Sequence, residues 1–173
     1  MHLSIRELEI KDIPLITDYW LLSDKDFLIS MGVALDKIPS RENFTKMLTK
    51  QLSLPIKERQ TYALIWEIDG NAVGHTNVNE IVENKQAKMH LHLWNATNRK
   101  KGVGVKLVQK SLPIFFDKLN LEKIICEPYA ENPAPNKVLE KIGFTFIKSH
   151  VTIPGSINFE QKVNTWEICK NEL

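Results

Sequence analysis

The sequence predicts a mixed α/β fold, and three features of its patterning predict it. Apolar residues recur at helical spacing near the start, alternate strictly from Thr61, and return to helical spacing after Gly102. The resulting order is β-α-α-β-β-β-α-β-α-β-β, a three-strand meander set between helical segments. The 173 residues have the length of about one domain, so a single unit over 1–173 is expected.

Leu3, Ile5 and Leu8 amid polar neighbours mark a short first strand. Ile13, Ile16, Trp20 and Leu21 recur at spacings of three and four, which predicts a helix over 10–22 opened by Asp12 and Pro14. Gly32 and Pro39 make 23–39 irregular. Ser40 caps a second helix, whose stripe is Phe44, Met47, Leu48 and Leu52 and which Pro55 ends. Tyr62 to Ile68 is β-like, Asp69-Gly70-Asn71 is a hairpin signal, and 72–82 continues as a strand. After a turn at Asn84-Lys85, the strand over 88–94 puts Met89, Leu91 and Leu93 on one face and His90, His92 and Trp94 on the other. A long helix over 102–119 buries Val108, Leu112, Phe115 and Leu119, with Pro113 expected to kink it or to cost one hydrogen bond. A short strand at 123–126, a short helix at 133–142 ended by Gly143, and strands at 144–153 and 163–169 complete the chain.

Composition excludes several classes. Lys plus Arg total 23 against 21 for Asp plus Glu, a net +2 too balanced for a nucleic-acid arm or an acidic tail. Hydrophobic residues make up 43%, which excludes disorder. Two cysteines, Cys126 and Cys169, cannot build a disulfide framework. The start, Met1-His2-Leu3-Ser4-Ile5-Arg6-Glu7, lacks the pattern of a signal peptide, and no run approaches the roughly 18 apolar residues of a membrane span. The expectation is a cytoplasmic protein with neither nucleic-acid nor membrane partners.

Chemistry concentrates in Leu93-Trp94-Asn95-Ala96-Thr97-Asn98-Arg99-Lys100-Lys101-Gly102-Val103-Gly104-Val105. A strand ends, a loop crosses, and two glycines open a helix beside three basic side chains. Free N–H groups, the helix dipole and positive charge are what holds a pyrophosphate. A P-loop would need Gly-Lys-Ser/Thr here, and a dinucleotide fingerprint would need glycine where Leu107 stands, so both fail. A glycine-rich turn with solvated lysines is the plain alternative.

A second stretch runs from Cys126-Glu127-Pro128-Tyr129 through Asn132, Pro135 and Asn136 to Val138-Leu139-Glu140-Lys141-Ile142-Gly143-Phe144. Together the two stretches and the element order resemble the GNAT N-acetyltransferase superfamily, and the ending of the second resembles the group containing the ribosomal-protein N-terminal acetyltransferases. The resemblance implies a central, mostly antiparallel sheet splayed between its fourth and fifth strands and flanked by about four helices. It implies an enzyme, an acyltransferase, that moves an acetyl group directly from acetyl-CoA to a primary amine of a small molecule or a protein N-terminus. It also implies that backbone groups of His92, Leu93 and Trp94 hold the pantetheine arm and polarise the acetyl carbonyl. The pyrophosphate would meet Arg99, Lys100, Lys101, Gly102, Val103, Gly104 and Val105, while Asn132 and Asn136 would serve the cofactor from the second motif.

The chain departs from that pattern at the proton donor. Many members use a tyrosine where Leu139 stands, and the ribosomal-protein group often has a serine where Pro135 stands. Tyr129, at the end of the fifth strand, is the substitute acid; the other reading is an ordinary half-buried tyrosine. His92, His90, Glu127 and Glu80 are the candidate bases, the histidines because they titrate in the useful range; otherwise they pack under a helix or face solvent. A metal pair at His90-x-His92 lacks a well-spaced third ligand beyond His75, so no metal is expected. Cys126 lies in an apolar run and is read as inert. The tryptophans are read as core or pocket wall, with Trp94 the one at the strand end.

The acceptor is expected between the first two helices, the third and fourth strands and the last hairpin. Asp24, Asp26, Phe27, Arg41, Glu80, Glu83 and the loop 155–160 lie there, and the acidic ones would suit a cationic amine. The competing expectation is a regulatory module that binds acyl-CoA without catalysis. A monomer or a homodimer is expected.

Overall fold

The computed structural model describes residues 1–95, 97 and 102–173. Seven strands form one sheet: β1 (Leu3–Glu7), β2 (Tyr62–Ile68), β3 (Asn71–Val82), β4 (Gln86–Leu93), β5 (Lys123–Cys126), β6 (Thr145–Thr152) and β7 (Gln161–Cys169). Their order is β1-β2-β3-β4-β5-β7-β6. The helices are α1 (Ile13–Leu22), α2 (Lys25–Ser30), α3 (Arg41–Ser53), α4 (Val103–Lys118) and α5 (Pro133–Ile142).

Local chemistry explains the turns. Asp69 (φ 48°) and Gly70 (φ 78°) both take left-handed backbone, the mirror-image turn whose twist suits a two-residue hairpin between β2 and β3. Gly143 (φ 105°) ends α5, where its N–H and that of Phe144 return to the carbonyl of Leu139. Arg6 joins β1 to β2 and to the start of α1 by bonding both carboxylate oxygens of Asp12, at 2.6 and 2.8 Å, and Glu67 at 2.7 Å.

Every strand pair is antiparallel except β4–β5. That parallel pair is short: Gln86, Ala87 and Lys88 face Lys123, Ile124 and Ile125, and the register stops there. β4 continues to Leu93 while β5 turns its remaining pairing to β7, at Cys126 and Trp166. The sheet therefore opens between β4 and β5, as a splayed sheet requires.

Two apolar layers cover the sheet. Leu64, Trp66, Val78 and Met89 pack with Leu107, Leu112 and Phe115 of α4. Ile65, on the opposite face of β2, packs with Ile13, Ile16, Trp20, Phe44 and Leu48 of α1 and α3. Because His75 pairs with Ile65 and with His92, and His90 with Asn77, the imidazoles belong to the α1–α3 face. The histidines thus pack beneath helices, as one of the two sequence readings expects.

Several details differ from the sequence reading. Residues 25–30, expected irregular, form α2, because the Asp24 side chain accepts from the Phe27 N–H at 2.9 Å and caps the turn. The first turn of the expected 10–22 helix is a tight turn over Ile10–Asp12. Met47 is not core; it is 45% exposed, whereas Phe44 and Leu48 are buried. Pro113 lies inside α4, which continues past it to Lys118 with one backbone N–H fewer, the second of the two expected outcomes.

Candidate active site

A cavity of about 410 Å³ lies at the β4–β5 gap. On the α4 side it meets Met89 and Leu91, on the α1–α3 side His75, His90 and His92, and at the β5 exit Cys126, Glu127, Tyr129 and Asn132. A second concavity, about 460 Å³ around Asn84, Asn120, Glu122 and Lys170, holds none of the candidate residues.

The imidazoles form a linked set. The His75 and His92 rings stack with centroids 4.7 Å apart. The Trp94 indole N–H donates to His75 Nδ1 at 2.8 Å. An indole only donates, so His75 carries its proton on Nε2. Tyr19, in α1, has its hydroxyl 3.3 Å from His92 Nδ1 and donates to the Met31 sulfur at 3.5 Å. A thioether only accepts. When the Tyr19 proton is on Met31, the Tyr19 oxygen accepts from His92 Nδ1–H and the His92 Nε2 lone pair is left free; when it is on His92 Nδ1, the ring proton sits on Nε2. His92 Nε2 makes no hydrogen bond among the described residues. His90 Nε2 lies 3.1 Å from the Asn79 side-chain oxygen.

Burial keeps this set uncharged. It pushes His75 down to about 3, with His90 adding to the effect, and His90 down to about 4, with Lys88 adding to it. Burial, then His75 and His90, hold His92 well below its usual range. The thiol of Cys126 is pushed up by burial, which keeps it protonated and unreactive.

Glu127 is held differently. Lys88 Nζ lies 3.0 Å away, the Thr165 hydroxyl donates at 3.1 Å, and His150 Nε2 is 3.7 Å away. Burial works against the anion, but the Lys88 hydrogen bond and charge outweigh it and lower the pKa. Glu80 binds the same lysine at 3.1 Å and does not line the cavity.

The Tyr129 hydroxyl donates to Glu131 at 3.0 Å, and this bond raises its pKa. Asn132 caps α5 by accepting from the Ala134 N–H at 3.3 Å. The Asn136 amide is saturated: its nitrogen donates to the Tyr129 and Asn132 carbonyls at 3.1 and 2.8 Å, and its oxygen accepts from Asn164 and Trp166, each at 2.9 Å. Its side chain staples the β5 exit to α5 and β7.

Gly102, with φ 66°, turns the chain into α4. The Lys106 N–H bonds the Gly102 carbonyl at 3.3 Å, and the Val103, Gly104 and Val105 amides stand in the first turn of the helix. A Cβ at Gly104 would meet nothing nearer than Val138, at 3.8 Å. Arg99, Lys100 and Lys101 lie outside the described residues. Of the three strand-end residues, Trp94 already donates its N–H to the Val73 carbonyl at 2.9 Å.

The loop after α2 closes the cavity against the β6–β7 loop. The Gly32 carbonyl accepts from the Asn158 and Gln161 side chains, each at 2.8 Å. Gly155, Ser156, Ile157 and Asn158 line the cavity, as the sequence reading placed them, but Asp24, Asp26, Arg41, Glu80 and Glu83 do not. Arg41 instead binds Asp18 at 2.6 Å. The sequence reading missed Tyr19, Met31 and Asn79, because no local pattern ties α1 to β4.

The acetyltransferase (GNAT) domain family matches residues 2–145, and the chain belongs to that family. Among curated protein sequences none matches the chain. Among solved structures, the fold is similar to a spermidine N-acetyltransferase from Vibrio cholerae in complex with CoA and spermine. That match has 21% identity and a TM-score of 0.79 and covers 98% of this chain and 96% of the other. It is also similar to RimL, a ribosomal-protein alpha-N-acetyltransferase in complex with coenzyme A. There the identity is 16% and the TM-score 0.80, with 99% and 96% of the two chains covered. No described helix is long and apolar enough to cross a membrane.

Proposed function

We propose that the chain is an acetyl-CoA-dependent N-acetyltransferase, one domain over residues 1–173, acting on a primary amine in the cytoplasm as a monomer or homodimer. The observation that carries the reading is the conjunction of a glycine-opened α4 N-terminus, a β4–β5 pairing that stops after three residues, and a cavity lined by buried imidazoles.

In this reading the Val103, Gly104 and Val105 amides bind the pyrophosphate, together with Arg99, Lys100 and Lys101. The backbone of His92 and Leu93 faces the pantetheine arm and the acetyl carbonyl. Asn132 contributes from the start of α5, and Asn136 acts through the backbone it staples. His92 Nε2 takes the proton of the attacking amine, with Tyr19 holding the tautomer that leaves that nitrogen free. His90, tied to Asn79, is the second neutral base. Glu127, fixed between Lys88 and Thr165, positions the strand ends instead of moving protons. Tyr129 returns a proton to the thiolate once it leaves Glu131. Neutral imidazoles favour this chemistry, because transfer begins from a neutral amine.

The test is calorimetric titration with acetyl-CoA followed by thiol release across a panel of amines. Binding with turnover is expected. Binding without turnover on any amine would favour the regulatory module, and no binding would remove both readings.

A further inference from the structure

The cavity wall also carries information about the acceptor, on the acetyl-transfer reading above. On the α1–α3 side Ile16, Trp20, Phe44, Met47 and Leu48 give an apolar wall, with uncharged Gln51, Gln60 and Thr61 at its edge. Val33 and Ile157 close it where the two loops meet.

Glu127 is the one charged side chain among the described lining residues. It stands at the β5 exit, opposite that wall, and its charge is already met by Lys88 at 3.0 Å. The three histidines are held by neutral partners: Trp94 on His75, Tyr19 on His92 and Asn79 on His90. The residues outside the described set, Ala96, Asn98, Arg99, Lys100 and Lys101, bring no carboxylate. Two acidic side chains near this side are already paired: Asp18 holds Arg41 and Glu80 holds Lys88.

The geometry points to an acceptor with a single amine carried on an apolar or aromatic body, not a polyamine. An apolar body gains by leaving water against this wall. A second or third ammonium would be stripped of water with no anion to meet it but Glu127, which Lys88 already holds. The one amine that must enter is the reacting one, and it gives up its charge to be acetylated. This sets the chain apart from its structural neighbour crystallised with spermine, whose ligand is a multiply charged chain.

The experiment compares phenethylamine with spermidine in calorimetric binding to the protein saturated with coenzyme A. Phenethylamine is expected to bind about tenfold tighter or more; equal or tighter binding of spermidine would overturn the inference. Met47→Glu, at an exposed wall position, then places a carboxylate in the wall without opening the core. It is expected to narrow the preference by about tenfold, and an unchanged ratio would overturn the charge argument. The same two amines in a thiol-release assay separate this inference from the reading beneath it. Preferred binding of phenethylamine without turnover upholds the wall's selectivity and removes acetyl transfer. Turnover that favours spermidine keeps acetyl transfer and removes the selectivity.

Discussion

On one side of the β4–β5 gap, β4 presents Met89 and Leu91 to the layer under α4; on the other, the same strand presents His90 and His92 to the layer under α1 and α3. The two surfaces are one residue apart in sequence and a sheet apart in space. The α4 side offers apolar contact and, at the helix start, Gly102 and Gly104. The α1–α3 side offers imidazoles that burial keeps neutral. On the proposed function, strand alternation would divide the work of holding a charged donor from that of deprotonating an acceptor. The short β4–β5 register is what lets the two sides communicate.

The division is most sharply tested on the imidazole side. His92→Gln is expected to lower kcat by about a hundredfold or more while the KM for acetyl-CoA stays put. Steady-state kinetics in both substrates reads the split, and an equal fall in cofactor binding would merge the two sides. Gly104→Glu should do the reverse, weakening acetyl-CoA binding by about a hundredfold, because a carboxylate then crowds and repels the pyrophosphate. Calorimetry checks it, and unchanged affinity would move the cofactor away from the α4 N-terminus. Tyr129→Phe is expected to lower turnover by about tenfold with cofactor affinity kept; full turnover would remove Tyr129 from the mechanism.

The smallest effect is on stability against pH. His75 and His90 are depressed from 6.5 to about 3 and about 4 in the folded chain. The unfolded chain therefore binds more protons below about pH 6.5. Stability from these groups is complete above that value and falls as pH drops towards their folded values. His75→Gln, which keeps an acceptor for Trp94, should flatten the acid side of a plot of Tm against pH. An unaltered slope would mean that His75 is not held neutral.

Much of this division was legible in the sequence. The alternation through Lys88–Leu93 put His90 and His92 on one face, and the Gly102-x-Gly104 spacing marked the α4 start; the structure shows both. What the sequence did not show depends on contacts between distant elements. The Glu127–Lys88 pair exists because β4 and β5 run parallel for three residues, a register that no local pattern encodes. Tyr19 reaches His92 from a helix 73 residues away in sequence. Asn136 reads as a cofactor ligand beside Asn132, and only the fold reveals that its amide is already fully bonded. Met47 continues the helical stripe by spacing, yet the cavity mouth leaves it exposed. The acidic acceptor side failed for a similar reason: nearness in sequence to the site did not aim those carboxylates into it.

The meeting of Gly32 with the β6–β7 loop bears on the order of events in folding. One carbonyl gathers the side chains of Asn158 and Gln161 across separations of 126 and 129 residues. Closing so long a loop costs entropy that only an almost finished chain can offset, so this clasp should form late. Gly32 has φ 85°, and a Cβ there would run into the Gln161 amide. Gly32→Ala should therefore hasten unfolding while leaving the refolding limb of a stopped-flow chevron in place. The clasp that roofs the cavity would then act as a brake on the chain's escape from its native state.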